Sequence, residues 1–224
     1  MLKIINIDKD ILNELRKDFL EISSIKNKKF KNIESVIKSF SKNSNFKQNM
    51  FDASNMMTSL GFASFKISNK LQKIFKTKLV NWTYPQVRID GPFSKKFSTP
   101  AHKDAWVLDK NKNGYTFWFP LNEKGGSIYF AKSSNSNKKK YKISNHPYWY
   151  QQIIGDINFQ KHHIKHGQGL IFSKEEIHKS DYSNSRISVQ FRFEELKNIN
   201  KFKRSVSQVF DSKVLSYWKK KINK

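Results

Sequence analysis

A mainly β fold, a jelly roll or related sandwich with helices at both ends, is predicted by three observations. Between residue 79 and Glu195 the chain breaks into short runs rich in Val, Ile, Tyr, Phe and Trp. Within those runs polar and apolar residues alternate with a period of two. Turn-prone pairs, Gly91-Pro92, Asn113-Gly114 and Gly125-Gly126 among them, separate the runs. Eight such runs fit a jelly roll.

The elements follow in order. From Asp8 to about Phe75 the pattern is helical, because ILNELRKDFLEI places Ile11, Leu12, Leu15, Phe19 and Ile22 at spacings of three and four and NIESVIKSF is similar. A third helix runs through SFKISNKLQKIFK and stops near Lys76. The strand candidates are NWTYPQVRID, PAHKDAWVLD, GYTFWFPLNE, GSIYFAK, KYKI, DINFQKHHIK, GQGLIFSK and RISVQFRF. SSNSNKKK at 133–140 reads as a mobile loop. After Glu195 the pattern SVSQVFDSKVLSYWKKKINK is again helical and ends in lysines. The expectation is one domain over 1–224: a helical part at 1–78 packed on the sheet, a jelly-roll core at 79–195 and a basic helix at 196–224.

Composition narrows the chemistry. Cysteine is absent from the 224 residues, which excludes disulfides, thiolate metal sites and a cysteine nucleophile and leaves His and carboxylates as the strong ligands. No stretch has the apolar length of a signal peptide core or a membrane span, so a cytoplasmic protein is expected. The net charge of +25 suggests an anionic partner, nucleic acid included. The abundance of Lys, Asn, Ile, Phe and Ser all along the chain is equally the mark of A·T-rich codon usage. No Gly-x-Ser-x-Gly elbow or phosphate-cradling glycine loop is present, so hydrolase and nucleotide-binding readings have no starting motif.

His102 and Asp104 stand two apart in a strand-like segment, where alternation turns both to one side. His178 lies 76 residues further on, after the apolar run GLIFS, where a neighbouring strand could return it to the same ion. Two His and one carboxylate on one face make the facial triad of non-haem iron(II) oxygenases, which leaves the opposite face open. Arg186 follows His178 by eight residues and opens a strand that alternates Arg186, Ser188, Gln190 and Arg192 against Ile187, Val189, Phe191 and Phe193. That polar face is predicted to line a cavity, and its guanidinium suits a carboxylate.

With these pieces in place, the stretch from Gln86 to Phe193 resembles the phytanoyl-CoA hydroxylase-like branch of the iron(II)/2-oxoglutarate dioxygenases. The matching segments, in the family's order, are AHKDAW, TFWFPLNEKGGSI, GQGLIFSKEEIHKS and RIS. The resemblance implies a double-stranded β-helix core, cupin-like, that binds Fe(II) through His102, Asp104 and His178 and uses 2-oxoglutarate and O2 to hydroxylate a C–H bond. It implies that Arg186 holds the distal carboxylate of 2-oxoglutarate, that Ser180 or Ser188 hydrogen-bonds it, and that Trp118 and Thr116 line its pocket. A carboxylate at Asp104 favours hydroxylation over halogenation. The family's Pro-Gly-Ser-His segment is replaced here by AKSSN, and the spacing from His178 to Arg186 is short, so Arg192 on the same face is the alternative clamp.

Further residues complete the expected site. Gln86 alternates with Val87 and is a candidate contact for the co-substrate or substrate, while Arg88 and Lys103 would recognise a small anionic substrate. Trp106, on the predicted face of His102 and Asp104, would wall the substrate pocket, fill the barrel, or do both. His162, His163 and His166 read as surface histidines, since Lys161 and Lys165 oppose a cation there. Two other readings stand beside the small-molecule oxygenase: an oxygenase docking nucleic acid or protein on its lysines, and a non-catalytic jelly-roll binding protein.

Overall fold

The computed structural model describes residues 1–23, 30–40, 50–51, 56–81, 85–97, 99–106, 113–132, 141–146 and 151–195. Helices form where the spacing of apolar residues predicts them. Helix α1 (Lys9–Ser23) buries Ile11, Leu12, Leu15 and Phe19 on one face and carries Asp10 in its first turn, where the helix dipole favours an acid. Helix α2 (Ile33–Phe40) is capped reciprocally: Asn32 Oδ1 accepts the Ser35 N–H at 2.9 Å, and Ser35 Oγ accepts the Asn32 N–H at 3.4 Å. Helix α3 (Met57–Phe75) starts well before the predicted Ser64. It ends as expected at Lys76, whose φ of 53° is left-handed and stops the helix.

Strands β1 (Leu2–Asn6), β2 (Met50–Phe51), β3 (Leu79–Asn81), β4 (Gln86–Asp90), β5 (Gly114–Pro120), β10 (Gln168–Ser173) and β12 (Arg186–Glu195) build one antiparallel sheet in the order β1-β10-β5-β12-β4-β2. The ten-residue β12 is its axis. One edge pairs β5, and the other pairs β4 and, further along, β3. A second sheet, in the order β11-β6-β9, contains β6 (Gly126–Ala131), β9 (Phe159–Ile164) and β11 (His178–Ser180). Strands β7 (Tyr141–Ser144) and β8 (Gln152–Gly155) form a hairpin joined to the chain before His102 by the Ile153 N–H, which donates to the Ala101 carbonyl at 2.7 Å.

Two apolar clusters hold the layers together. Phe117, Phe119, Val189, Phe191 and Phe193 face outward from the large sheet and pack on all three helices. Each such buried side chain contributes about 1.5–3 kcal/mol. Trp118, Leu170 and Phe172 face the other way and meet Ile128, Phe130 and Ile164 of the small sheet. The result is the predicted jelly-roll architecture, mainly β with flanking helices. No described helix is long and apolar enough to cross a membrane.

Four sequence expectations change or fall outside this description. The described part of PAHKDAWVLD, residues 100–106, forms no strand. His102 makes one isolated bridge with His178, and the Lys174 carbonyl then takes the Ala105 N–H at 2.9 Å, which draws Asp104–Trp106 into a 3-10 turn. Among the described residues twelve strands replace the eight predicted. β1 was missed because, of its five residues, Ile5 alone is buried. The 133–140 loop and the 196–224 helix lie outside the described residues.

Candidate metal centre

Each of the three predicted ligands is placed by a different local constraint. His102 and His178 sit opposite one another because each backbone N–H donates to the other's carbonyl at 3.0 Å. Their rings lie 4.2 Å apart between centroids. Asp104 arrives from the 3-10 turn, so convergence is achieved by a turn where strand alternation was expected. One ligand atom from each residue lies within 4.8 Å of the others, and no second such group occurs among the described residues. The Asp104 oxygens are 3.8 Å from each Nε2. Donors about 2.1 Å from one ion and at right angles to each other stand about 3 Å apart, so small side-chain adjustments close the site on a metal.

The surroundings prepare these donors. His102 Nδ1 bonds the Pro100 carbonyl at 2.8 Å and His178 Nδ1 bonds the Glu176 carbonyl at 2.9 Å, in each case the carbonyl two residues upstream. A carbonyl only accepts, so Nδ1 carries the proton and Nε2 presents its lone pair. Burial, with the neighbouring His178, lowers the His102 pKa to about 3, and burial also lowers that of His178. Both rings are therefore neutral at pH 7, as a metal requires. Phe172 meets His178 edge-on at 4.7 Å and holds the ring in place.

These shifts carry a sign. The unfolded His102 takes a proton near pH 6.5 and the folded one only near about 3, so between those values the unfolded state binds more protons. Stability is therefore complete above pH 6.5 and is lost as pH falls below it, by up to about 1.4 kcal/mol per unit from His102. Denaturation of the metal-free protein across that window is expected to show this slope, reduced in His102→Gln. An unchanged slope in the variant counts against the assignment.

Asp104 is held from the large sheet. Thr116 Oγ1 donates to its Oδ2 at 2.5 Å, Gln190 Nε2 to the same oxygen at 3.4 Å, and Arg192 Nε to Oδ1 at 2.9 Å. Burial alone would raise the Asp104 pKa, but Arg192 above all, then the imidazoles and Thr116, keeps it well below the usual carboxylate range. Arg192, the alternative clamp, is thus the counter-ion of a ligand, and Thr116 orients that ligand. Arg192→Met leaves a buried carboxylate without its cation, which costs the metal-free protein about 3–5 kcal/mol. Saturating iron(II) is expected to raise the melting temperature of this variant more than that of the wild type. Equal increments would show that Asp104 does not face the metal.

Away from the triad, the inner face of β12 runs from Arg192 through Gln190 and Ser188 to Arg186. Gln190 lies opposite Gln86 and Trp118, Ser188 opposite Arg88 and Pro120, and Arg186 opposite Asp90. Arg186 is buried at 2% exposure. Its guanidinium lies 5.7 Å from the Trp118 ring, reaches Asp90 Oδ2 at 3.3 Å and donates to the Asp181 carbonyl. Arg186 Nε has no hydrogen-bond partner among the described residues. Gly126 backs this pocket, where a Cβ would come within 3.1 Å of Arg186 Cδ and 3.4 Å of the Trp118 ring. The short interval from His178 to Arg186 is closed by Asp181, which accepts the Ser183 N–H at 2.9 Å and is ion-paired to Lys161 at 2.8 Å.

The remaining predicted residues lie as follows. Ser180 and Ser188 are buried, on β11 and on the inner face of β12. Gln86 is half-buried on β4. Arg88 is buried and bidentate on Asp90, and Lys103 is ion-paired with Glu175 at 3.4 Å near the surface. Trp106 ends the 3-10 turn and does not share a strand face with His102, and its side chain lies outside the described residues. His163 and His166 are exposed, as read from the sequence, whereas His162, also expected at the surface, is half-buried against Phe130. Sequence reasoning missed Asp90 and gave Gln190 no role. The signal for Asp90 was its spacing of two from Arg88 on a strand, which puts acid and base on one face.

No protein-family model matches the sequence, and no curated protein matches it. Solved structures do, at the level of the fold. The epimerase SnoN in complex with Fe3+, alpha ketoglutarate and nogalamycin RO is 11% identical, with 86% of this chain and 78% of that chain covered and a TM-score of 0.53. AviO1 from Streptomyces viridochromogenes Tue57 is 9% identical over 88% of this chain and 90% of its own, with a TM-score of 0.53. EctD from S. alaskensis, solved with 2-oxoglutarate and 5-hydroxyectoine, is 8% identical over 88% and 73%, again with a TM-score of 0.53.

Proposed function

We propose that this protein is a non-haem Fe(II) and 2-oxoglutarate-dependent oxygenase that hydroxylates a C–H bond of a small anionic metabolite. The observation that carries the reading is the convergence of His102, Asp104 and His178 at one end of a buried polar strand face whose other end is Arg186. A 2-His-1-carboxylate donor set with open positions suits iron(II). Four residue steps of about 3.3 Å each lead along the strand from Gln190, beside Asp104, to Arg186, so a span of ~13 Å is available. An extended arginine side chain and a five-carbon dicarboxylate in series fill it. SnoN and EctD, which share the fold, were solved with this co-substrate.

In this reading iron, when bound, supplies the oxidising chemistry with O2 and 2-oxoglutarate. The chain supplies geometry. His102, Asp104 and His178 would hold the metal on one face, Thr116, Gln190 and Arg192 would fix the carboxylate, and Arg186 would take the distal carboxylate of the co-substrate. Trp118 would wall the co-substrate, with Ser188, Ser180 and Gln86 as polar contacts. Within the fold, the motifs AHKDAW and TFWFPLNEKGGSI support a place near the phytanoyl-CoA hydroxylase-like branch, and the lack of cysteine supports a cytoplasmic setting.

Anaerobic titration with iron(II) and then 2-oxoglutarate tests the proposal. A weak visible charge-transfer band is expected only when both are present. Folded, iron-loaded protein that gives no band refutes it.

A further inference from the structure

We propose that Arg88 is a positioning residue for the co-substrate: by occupying Asp90 it keeps that carboxylate from closing on Arg186, and so leaves Arg186 open to an anion. The inference rests on the function proposed above and gives Arg88 a different role from the substrate contact expected of it.

Three buried charges make the arrangement, with Asp90 inaccessible, Arg186 at 2% and Arg88 at 5% exposure. Arg88 and Asp90 are two apart on β4 and share a face, and Arg186 stands opposite Asp90 in register. Arg88 holds both carboxylate oxygens, through Nε to Oδ2 at 3.2 Å and Nη2 to Oδ1 at 2.8 Å. Arg186 reaches the same carboxylate through one longer contact of 3.3 Å, and its Nε is unpaired. A planar guanidinium binds a carboxylate best with two parallel N–H donors. If Arg88 released Asp90, both oxygens would be free for the Arg186 fork, and an internal bidentate pair would compete with the incoming dicarboxylate for the same donors.

The test is calorimetric titration of 2-oxoglutarate into anaerobic, iron(II)-loaded protein, for the wild type, Arg88→Met, Asp90→Asn, Arg88→Met/Asp90→Asn and Arg186→Met. Arg88→Met is expected to raise the Kd for 2-oxoglutarate by about 10-fold or more, equivalent to about 1.4 kcal/mol. Removing the competitor as well should restore binding, so the double variant returns to within about 3-fold of the wild type. Iron(II) affinity is expected to hold in both. A merely structural ion pair would not yield this recovery. If Arg88→Met does not fold, Asp90→Asn alone decides, since it should bind 2-oxoglutarate at least as tightly as the wild type and weaker binding overturns the proposal. It also falls if Arg88→Met binds like the wild type, or if the double variant is as weak as Arg88→Met. Wild type that binds iron(II) but no 2-oxoglutarate refutes the proposed function and this reading together. Wild type that binds, Arg186→Met that does not and Arg88→Met that is unchanged refute the role of Arg88 alone.

Discussion

Replacing His178 with alanine is expected to abolish stoichiometric iron(II) binding and, with it, 2-oxoglutarate turnover, while the protein still folds. The side chain does two things that can be told apart. It fills a slot between Phe130 and Phe172, at 5.7 and 4.7 Å from their rings, and it presents Nε2 to the metal because Nδ1 is fixed on the Glu176 carbonyl. Loss of the first role leaves a cavity and costs about 1–3 kcal/mol, within the ordinary range for a buried substitution. The backbone bridge to His102 survives, since it uses main-chain atoms only. Loss of the second role leaves one imidazole and one carboxylate, too few to hold iron(II) against water. The expected result is therefore a folded protein with a modestly lower melting temperature and no bound iron by metal analysis. Exposed His163 is the control, and His163→Ala should bind iron like the wild type. Full iron occupancy in His178→Ala would remove the metal centre from the account.

The parts of this site that were legible in the sequence are those written in local periodicity. Ile11, Leu15 and Phe19 mark a helix face through their spacing, and the alternation of Arg186, Ser188, Gln190 and Arg192 with Ile187, Val189, Phe191 and Phe193 marks a strand with one polar and one apolar face. The structure adds that both faces of this strand are buried, which turns the polar face into the wall of a site. The parts that stayed hidden depend on contacts far along the chain. Whether His102 and Asp104 sit on a strand is decided by the Lys174 carbonyl, which captures the Ala105 N–H and bends the segment. Arg192 and Arg186 looked interchangeable because both point to the same side. What separates them is where Asp104 arrives, and that turn has no signature in the motif itself. Strand β11 is three residues long, too short for a period to show.

Arg186 should accordingly be the residue whose loss affects co-substrate and not metal. Arg186→Met is expected to raise the Kd for 2-oxoglutarate by about 100-fold or more, because two charge-assisted hydrogen bonds in a buried pocket are worth about 1.5–3 kcal/mol each. Iron(II) affinity should stay within about 3-fold of the wild type, since ~13 Å of strand lies between Arg186 and Gln190 beside the ligands. The change is also unusually well tolerated for a buried charge. Removing one partner of a buried pair usually leaves the other uncompensated, but Asp90 keeps both hydrogen bonds from Arg88. The methionine side chain can still lie over Trp118. The Asp181 carbonyl does lose its Arg186 donor, so the stability cost should be about 1–2 kcal/mol, still below the about 3–5 kcal/mol expected of Arg192→Met, whose partner Asp104 has no second cation among the described side chains. The two arginines, six residues apart on one face, thus give opposite signatures: Arg186→Met loses 2-oxoglutarate and keeps stability, and Arg192→Met loses stability that iron(II) restores. Titration of both variants with each ligand reads this out, and an Arg186→Met protein that binds 2-oxoglutarate like the wild type would show that the clamp lies elsewhere.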